Sequence, residues 1–438
     1  MDPAPDGGSR MAIAAPRPWR LRGCRGEPCV RPRRIAVPGY LTRANTMLAH
    51  EFADHHEVKT MTSSHNGSAS LPAREKWRLL ISGQDAGPMV SPLCDDWSLN
   101  IPYYWPYDEP DPFPPGHKWH AVSQQMAMAK VCGWEPNILA GVEFRARNPD
   151  VAPVHKTTAI DGGSRTESCI RTPLGDLTSI GEQKTTAHTI KAWIETEDDI
   201  RKAIWLTRQQ LDYDEDLAIA QGRQLRAAIK DRGVLGVWAG APVANYVNRE
   251  LMFYQMADWP DAFQELHQAT RELVFKQTAT LAKAGYDFLF YCVDGTEWIS
   301  PDFFRTWIRD DTRRIFQQWR TDGRFILWHS CGRIRKFVEL GFYNELKPDV
   351  FETMSEPPVG DLPSLRWARE RLDPAVATKG NIPLNVLLEG TPDDVRREVR
   401  RVREQTVGWR HIVGLSDDVL KGTPVENARA FADEARKL

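Results

Sequence analysis

The stretch RFILWHSCGR, residues 324–333, runs an apolar segment into an imidazole and a thiol. In an extended chain residues i and i+2 point the same way, so His329 and Cys331 share one face. Imidazole and thiolate are both good Zn²⁺ ligands, at about 2.0–2.1 and 2.3 Å. Gly332 lets the chain turn sharply beyond them. Taken alone, a histidine is more often a hydrogen-bonded core residue and a cysteine a packing residue. A catalytic zinc also needs a third protein ligand and an open position. Nearly every other apolar run also ends in residues able to do chemistry: Asp95 and Asp96, Asp294, Glu356, Asn381, Asp417 and Asp418; the carboxylates among them could supply that ligand. With Glu297 close behind Asp294, the residues suited to proton transfer are His329, Asp294, Glu297 and Asp96.

The elements that must hold these residues follow a regular rhythm. GVLGVWAG (233–240), YDFLFYCVDG (286–295), RFILWHSCG, PDVFETMSEPP, AVATKGNIP and RHIVGLSDD read as strands. Helical patterns separate them, including 261–285, 300–323 and TPDDVRREVRRVREQT. Ser300 before Pro301, and the pairs Thr196/Asp199 and Thr391/Asp394, mark helix starts. Six apolar strands alternating with helices mean a parallel sheet covered on both faces. GPMVSPLCDDW adds an earlier strand, and the count approaches eight. The expected fold is α/β, a (β/α)8 TIM barrel. In such a barrel the carboxyl ends of the strands converge on one face, where active sites lie. No Gly-x-Gly-x-x-Gly follows a strand, which argues against dinucleotide binding.

Two stretches depart from that rhythm. Residues 137–190 read as short meandering strands, a β-rich insertion. Residues 98–120 are dense in proline and aromatics, a long irregular loop. Tyr104 and Trp105 in that loop, with Trp298 and Asn381, are the candidate substrate-binding residues. A loop packed by its own rings accounts for the same pattern.

The chain of 438 residues carries a net charge of −2, and no apolar run approaches the roughly 20 residues that span a bilayer. Nucleic acid and membrane are therefore not expected partners. Seven scattered cysteines suit a reducing, cytoplasmic setting. Residues 1–70 are rich in Arg, Pro, Ser and Gly, with no apolar period, and read as a disordered extension. Their arginines also suit organelle import. The expected division is 1–70 extension and 71–438 barrel.

From about residue 71 onward the chain resembles the uroporphyrinogen decarboxylase superfamily, which also holds corrinoid-dependent methyltransferases. The stretches that carry the likeness are AGYDFLFYCVDG, HSCG, SEPPVGDLPSLR, GNIPLNVLLEGTPDDVRREV and GLSDDVLKGTPVENARAFADEA, in that order. The resemblance implies a (β/α)8 barrel. The decarboxylase branch implies an N-terminal Pro-x-Trp-x-Met-Arg-Gln run, and here that place reads PMVSPLCDDW, with acids instead of arginine. The methyltransferase branch implies zinc held by His-x-Cys and a distant Cys. His329 and Cys331 match the first two, Asp417 stands at the distant position, and Glu356 matches a strand-end glutamate that is a further ligand candidate.

The leading expectation is a zinc-dependent methyltransferase or demethylase. It moves a methyl group between a small methoxylated or aromatic substrate and a thiol, folate or corrinoid acceptor. Its partners are then the small-molecule substrate, a corrinoid protein and a second copy of the chain. The alternative is a metal-free decarboxylase or lyase in which His329 and Asp294 act as general acid and base. A barrel that binds without turnover is the third class.

Overall fold

The computed structural model describes residues 71–293, 299–321 and 323–437. The expected extension 1–70 lies outside the described residues, as do Asp294, Glu297 and Trp298. The strands are β1 (Asn137–Leu139), β2 (Val154–Ile160), β3 (Gly163–Ile170), β4 (Leu177–Gln183), β5 (Ala187–Lys191) and β6 (Val234–Gly240). They continue with β7 (Phe288–Cys292), β8 (Phe325–Ser330), β9 (Val350–Thr353), β10 (Ala377–Ile382) and β11 (His411–Leu415). Seven of them form one parallel sheet in the order β1-β6-β7-β8-β9-β10-β11. Each neighbour follows the last in the barrel sequence, with helices between. This is the (β/α)8-type barrel the rhythm predicts.

The eighth stave is not a regular strand. In the segment Met89–Leu93, the Ser91 N–H donates to the Val413 carbonyl at 3.0 Å, and the Val413 N–H donates to Met89 at 2.9 Å. On the other side, Glu135 N–H donates to the Val90 carbonyl at 2.8 Å, and Asn137 Nδ2 donates to Ser91 Oγ at 2.7 Å. The segment thus joins β11 to the start of β1. Pro88 and Pro92 remove two backbone donors, which limits the pairing to isolated bridges.

Strand register sorts side chains into layers inside the barrel. At the amino end Val234, Phe288, Phe325, Val350, Ala377 and Ile412 meet Trp77 from the helix Ala73–Ile81. Trp77 stacks on Phe325 with centroids 5.5 Å apart, and Phe325 stacks on Phe288 at 5.2 Å. Gly236 makes room, because a Cβ there would lie 2.2 Å from the Phe288 ring. The helix is fixed to the barrel rim by Arg74 on Asp287 and Lys76 on Glu135, at 2.7 and 2.8 Å. The amino end is therefore plugged and apolar.

The β-rich region divides differently from expectation. β1 belongs to the barrel, whereas β2–β5 form a separate antiparallel meander spanning Val154–Lys191. Ile170 and Leu177 anchor that meander against Ile194, Ile200 and Ile204. The expected helix starts are present. Thr196/Asp199 and Thr391/Asp394 form capping boxes, and Ser300 caps a helix whose first residue is Pro301. The segment after Pro301 makes one π-turn at Phe304–Ile308 before continuing as Arg309–Trp319. Among the described residues no helix is long and apolar enough to cross a membrane.

Candidate metal centre at the barrel mouth

His329, Glu352 and Lys379 are register partners on three adjacent parallel strands. Period two turns all three inward, one layer above the apolar floor. Glu352 Oε1 lies 2.7 Å from His329 Nδ1, and Glu352 Oε2 accepts from Lys379 Nζ. These side chains are 3%, 2% and 2% exposed, so the whole relay is dry. Lys379 fits because Gly414 faces it: a Cβ there would come within 3.2 Å of Lys379 Cγ.

With Nδ1 committed to Glu352, the His329 Nε2 points outward. It lies 3.7 Å from Asp417 Oδ1. The Cys331 Sγ completes a group whose three donor atoms lie within 4.8 Å of one another. Ligands about 2.1 Å from a tetrahedral ion sit about 3.4 Å apart, so the spacing suits one small cation. One nitrogen, one sulfur and one oxygen match zinc better than a hard cation such as Mg²⁺ or Ca²⁺. Three protein ligands leave a fourth position for a substrate atom. The donors therefore fit a catalytic zinc.

The electrostatics match a site built to hold positive charge. Burial alone pulls the His329 pKa down, but hydrogen bonds to Cys331 and Glu352 and the charge of Asp417 bring it well above the ordinary histidine value. Burial pushes Glu352 up, yet Lys379 and His329 more than offset this and hold it below the usual carboxylate range. Around the rim the sign reverses. Desolvation and the neighbouring Asp96 and Asp417 push Asp95 up to about 6. Desolvation and Asp95 hold Asp418 well above the carboxylate range, and desolvation raises Asp417.

Trp238, at the carboxyl end of β6, packs on Phe290 at 4.3 Å and lies 6.4 Å from the His329 ring, yet is 40% exposed. A cavity of about 220 Å³ opens past the end of β6, between Gly240, Val243, Met252, Cys292, Phe303 and Ile308. Cys292, one of its lining residues, is the register partner of His329 on the neighbouring strand.

Several expected site residues are placed elsewhere. The Glu356 carboxylate accepts from Arg401 at 3.1 Å and from Asn381 Nδ2 at 3.1 Å, outside the donor group. It lies four residues past Glu352, beyond the end of β9, and is removed from the metal set. Asn381 is buried, with its amide on Met354 and Glu356, so it braces the strand ends rather than facing a substrate. Trp105 donates to the Glu109 carbonyl at 2.8 Å, and Glu109 pairs with Lys230 and Arg232, which precede β6. The loop has thus run back toward the amino end, and Trp105 leaves the mouth. Tyr104 is 46% exposed and meets the edge of Trp97 at 5.9 Å. Asp96 sits on the exposed rim, accepting from Ser98 Oγ at 3.0 Å.

Glu352, Lys379 and Trp238 escaped the sequence reading. Their signal was a charge inside an apolar strand, in VFET and ATKGNI, and an exposed indole at a strand end.

The family model described as Uroporphyrinogen decarboxylase (URO-D) matches residues 186–438. The chain belongs to the uroporphyrinogen decarboxylase family. That match contains β6 to β11 and all three donors, but neither the acidic pair Asp95–Asp96 nor β2 to β4. The uroporphyrinogen decarboxylase of Prochlorococcus marinus (strain NATL2A) is 36% identical over 95 residues, 20% of this chain and 26% of that protein. The enzyme of the same name from Thermus thermophilus is 27% identical over 192 residues, 43% of this chain and 52% of that protein. These matches span from a quarter to about half of the relatives' length. A solved methyltransferase from Methanosarcina mazei shares the fold at a TM-score of 0.52 and 12% identity, covering 84% of this chain and 98% of that one. The barrel fold of this decarboxylase-family chain is therefore shared with that methyltransferase.

Proposed function

We propose that this family member is a zinc-dependent methyltransferase or demethylase. The observation that carries the reading is the group of one donor atom each from His329, Cys331 and Asp417 within 4.8 Å of one another, at the carboxyl ends of β8 and β11. Zinc in that position would hold a thiol, hydroxyl or water in its deprotonated, nucleophilic form. Glu352 keeps His329 oriented. Asp417, a harder ligand than a thiolate, would leave such an ion more electrophilic and would favour an oxygen-bearing partner. In the transfer, the acceptor atom forms a bond to the methyl carbon while the bond from carbon to the donor heteroatom breaks, its electron pair leaving with the donor.

The cavity beside Cys292 supports a small apolar or aromatic body as the methyl-bearing substrate, and the exposed Trp238 near His329 supports an aromatic one. A thiol, a folate or a corrinoid protein is the matching acceptor or donor. Metal analysis of purified protein with and without Cys331→Ser, together with release of label from a methoxy-¹³C-labelled benzoate in the presence of a thiol, tests the reading. About one zinc per chain, lost in the variant along with label transfer, supports it.

The second reading is a metal-free decarboxylase, favoured by the names of the curated relatives. There the protonated His329, buried between Glu352 and Asp417, would be the general acid. The rim argues against it: it supplies the acids Asp95, Asp96 and Asp418, and PMVSPLCDDW holds no arginine to receive a substrate carboxylate. Turnover of a carboxylic acid to CO₂ by protein free of transition metal would establish it.

A further inference from the structure

Lys379 is a costly residue to place inside a barrel. It is 2% exposed, on a strand whose preceding inward residue is Ala377, and it reaches Glu352 only because Gly414 leaves its stem a path. Replacing a buried ion pair by well-packed apolar residues of similar volume is often neutral or stabilising. Stability therefore does not explain the pair, and geometry does. A carboxylate has two oxygens and can rotate; one that is held at a single oxygen can turn its other oxygen toward any nearby cation. Here both oxygens are committed, Oε1 to His329 Nδ1 at 2.7 Å and Oε2 to Lys379 Nζ.

We infer that Lys379 is the positioning residue of the metal centre: by anchoring Glu352 it fixes His329 with its proton on Nδ1 and its Nε2 toward Cys331 and Asp417. The inference rests on the zinc reading above and deepens it. The partner of a ligating histidine sets its tautomer and ring orientation, and losing such a partner commonly weakens metal binding about 10–100-fold. Lys379 stands one step further out, and its effect passes entirely through Glu352. It touches neither substrate nor ion.

The test uses the full chain and the pair Lys379→Met with Glu352→Gln, which removes both charges together and leaves similar volumes. Zinc affinity is read by competition with a chromogenic chelator, and the His329 tautomer by ¹⁵N chemical shifts of histidine-labelled protein. The expected result is a roughly 10–100-fold weaker zinc affinity in the double variant. Its melting temperature should stay within a few degrees of the parent, and in zinc-loaded protein His329 should lose its single Nδ1–H form. Gly414→Ala, which crowds the Lys379 stem without touching the relay's polar atoms, should weaken zinc in the same direction. A parent protein that binds zinc while the double variant binds it equally tightly overturns the inference and leaves the zinc reading standing. So does a parent in which Nδ1 carries no proton, a measurement that holds even if the double variant does not fold. A parent that binds no zinc removes both.

Discussion

At the amino end of the barrel, Phe288, Phe325, Val350 and Ala377 close on Trp77 with no charged side chain among them. One layer higher, the same strands carry His329, Glu352 and Lys379, and beyond them Cys331 and an acidic rim. Floor and mouth share a backbone, a register and a period of two, yet they answer different demands. The floor buries area and gains from close packing, and each methylene counts. The mouth buries charge at a cost, offset where Glu352 is held by both His329 and Lys379. The barrel thus separates what holds it together from what it can do, layer by layer along each strand.

Breaking the floor should have the largest effect on folding and none on the chemistry of what remains folded. Trp77→Ala leaves a cavity against Phe325 and should cost about 3–5 kcal/mol. Urea unfolding reads the loss, while zinc per folded chain should be unchanged. If zinc falls in parallel, the two ends are not independent.

The converse belongs to the mouth. Cys331→Ser should weaken zinc at least 100-fold, about 2.7 kcal/mol of binding, while the metal-free protein melts within about 2 °C of the parent. A large loss of stability without metal would make Cys331 a packing residue.

Trp238 tests the border between the two. It rests on Phe290 but is 40% exposed. Trp238→Ala should weaken binding of a methoxylated aromatic about tenfold, or about 1.4 kcal/mol, and should cost under about 1 kcal/mol of stability. Equal binding with lower stability would assign the indole to the floor.

The smallest expected effect is electrostatic. The Asp95 pKa is pushed up to about 6 in the folded chain, against about 3.9 when unfolded. A raised carboxyl binds its proton more tightly when folded, so its contribution to stability is present below about pH 4 and is lost as pH rises through about 6. In metal-free protein, Asp95→Asn should therefore raise the melting temperature at pH 8 and leave it unchanged near pH 3.5. A gain at both values would point to a cause other than charge crowding.

Much of this was legible in the sequence, for local reasons. Alternating apolar strands and helices named the barrel, because a parallel sheet covered on both faces needs near-continuous apolar runs. Capping residues marked helix starts at Thr196, Ser300 and Thr391, because the orphan N–H groups of a first turn need nearby acceptors. The i, i+2 spacing put His329 and Cys331 on one face, and the tertiary structure brings Asp417 to them.

Depth and partnership were decided only by the tertiary structure. Period two tells which way a side chain points, not how far along the barrel axis it lies, and that height depends on the register between strands distant in sequence. Glu352 and Glu356 are four residues apart, a spacing that would share one facing in a continuous strand, but β9 ends at Thr353 and the pairing of His329 with Glu352 selects the inner one. Lys379 becomes part of the centre through the same register on the next strand. Trp105 looked like a substrate contact because its loop follows Asp96. Its placement is set instead by Glu109, which meets Lys230 and Arg232 more than a hundred residues away. Met89–Leu93 closes the ring as an irregular stave, because its prolines forbid a full ladder while β1 and β11 still need a neighbour.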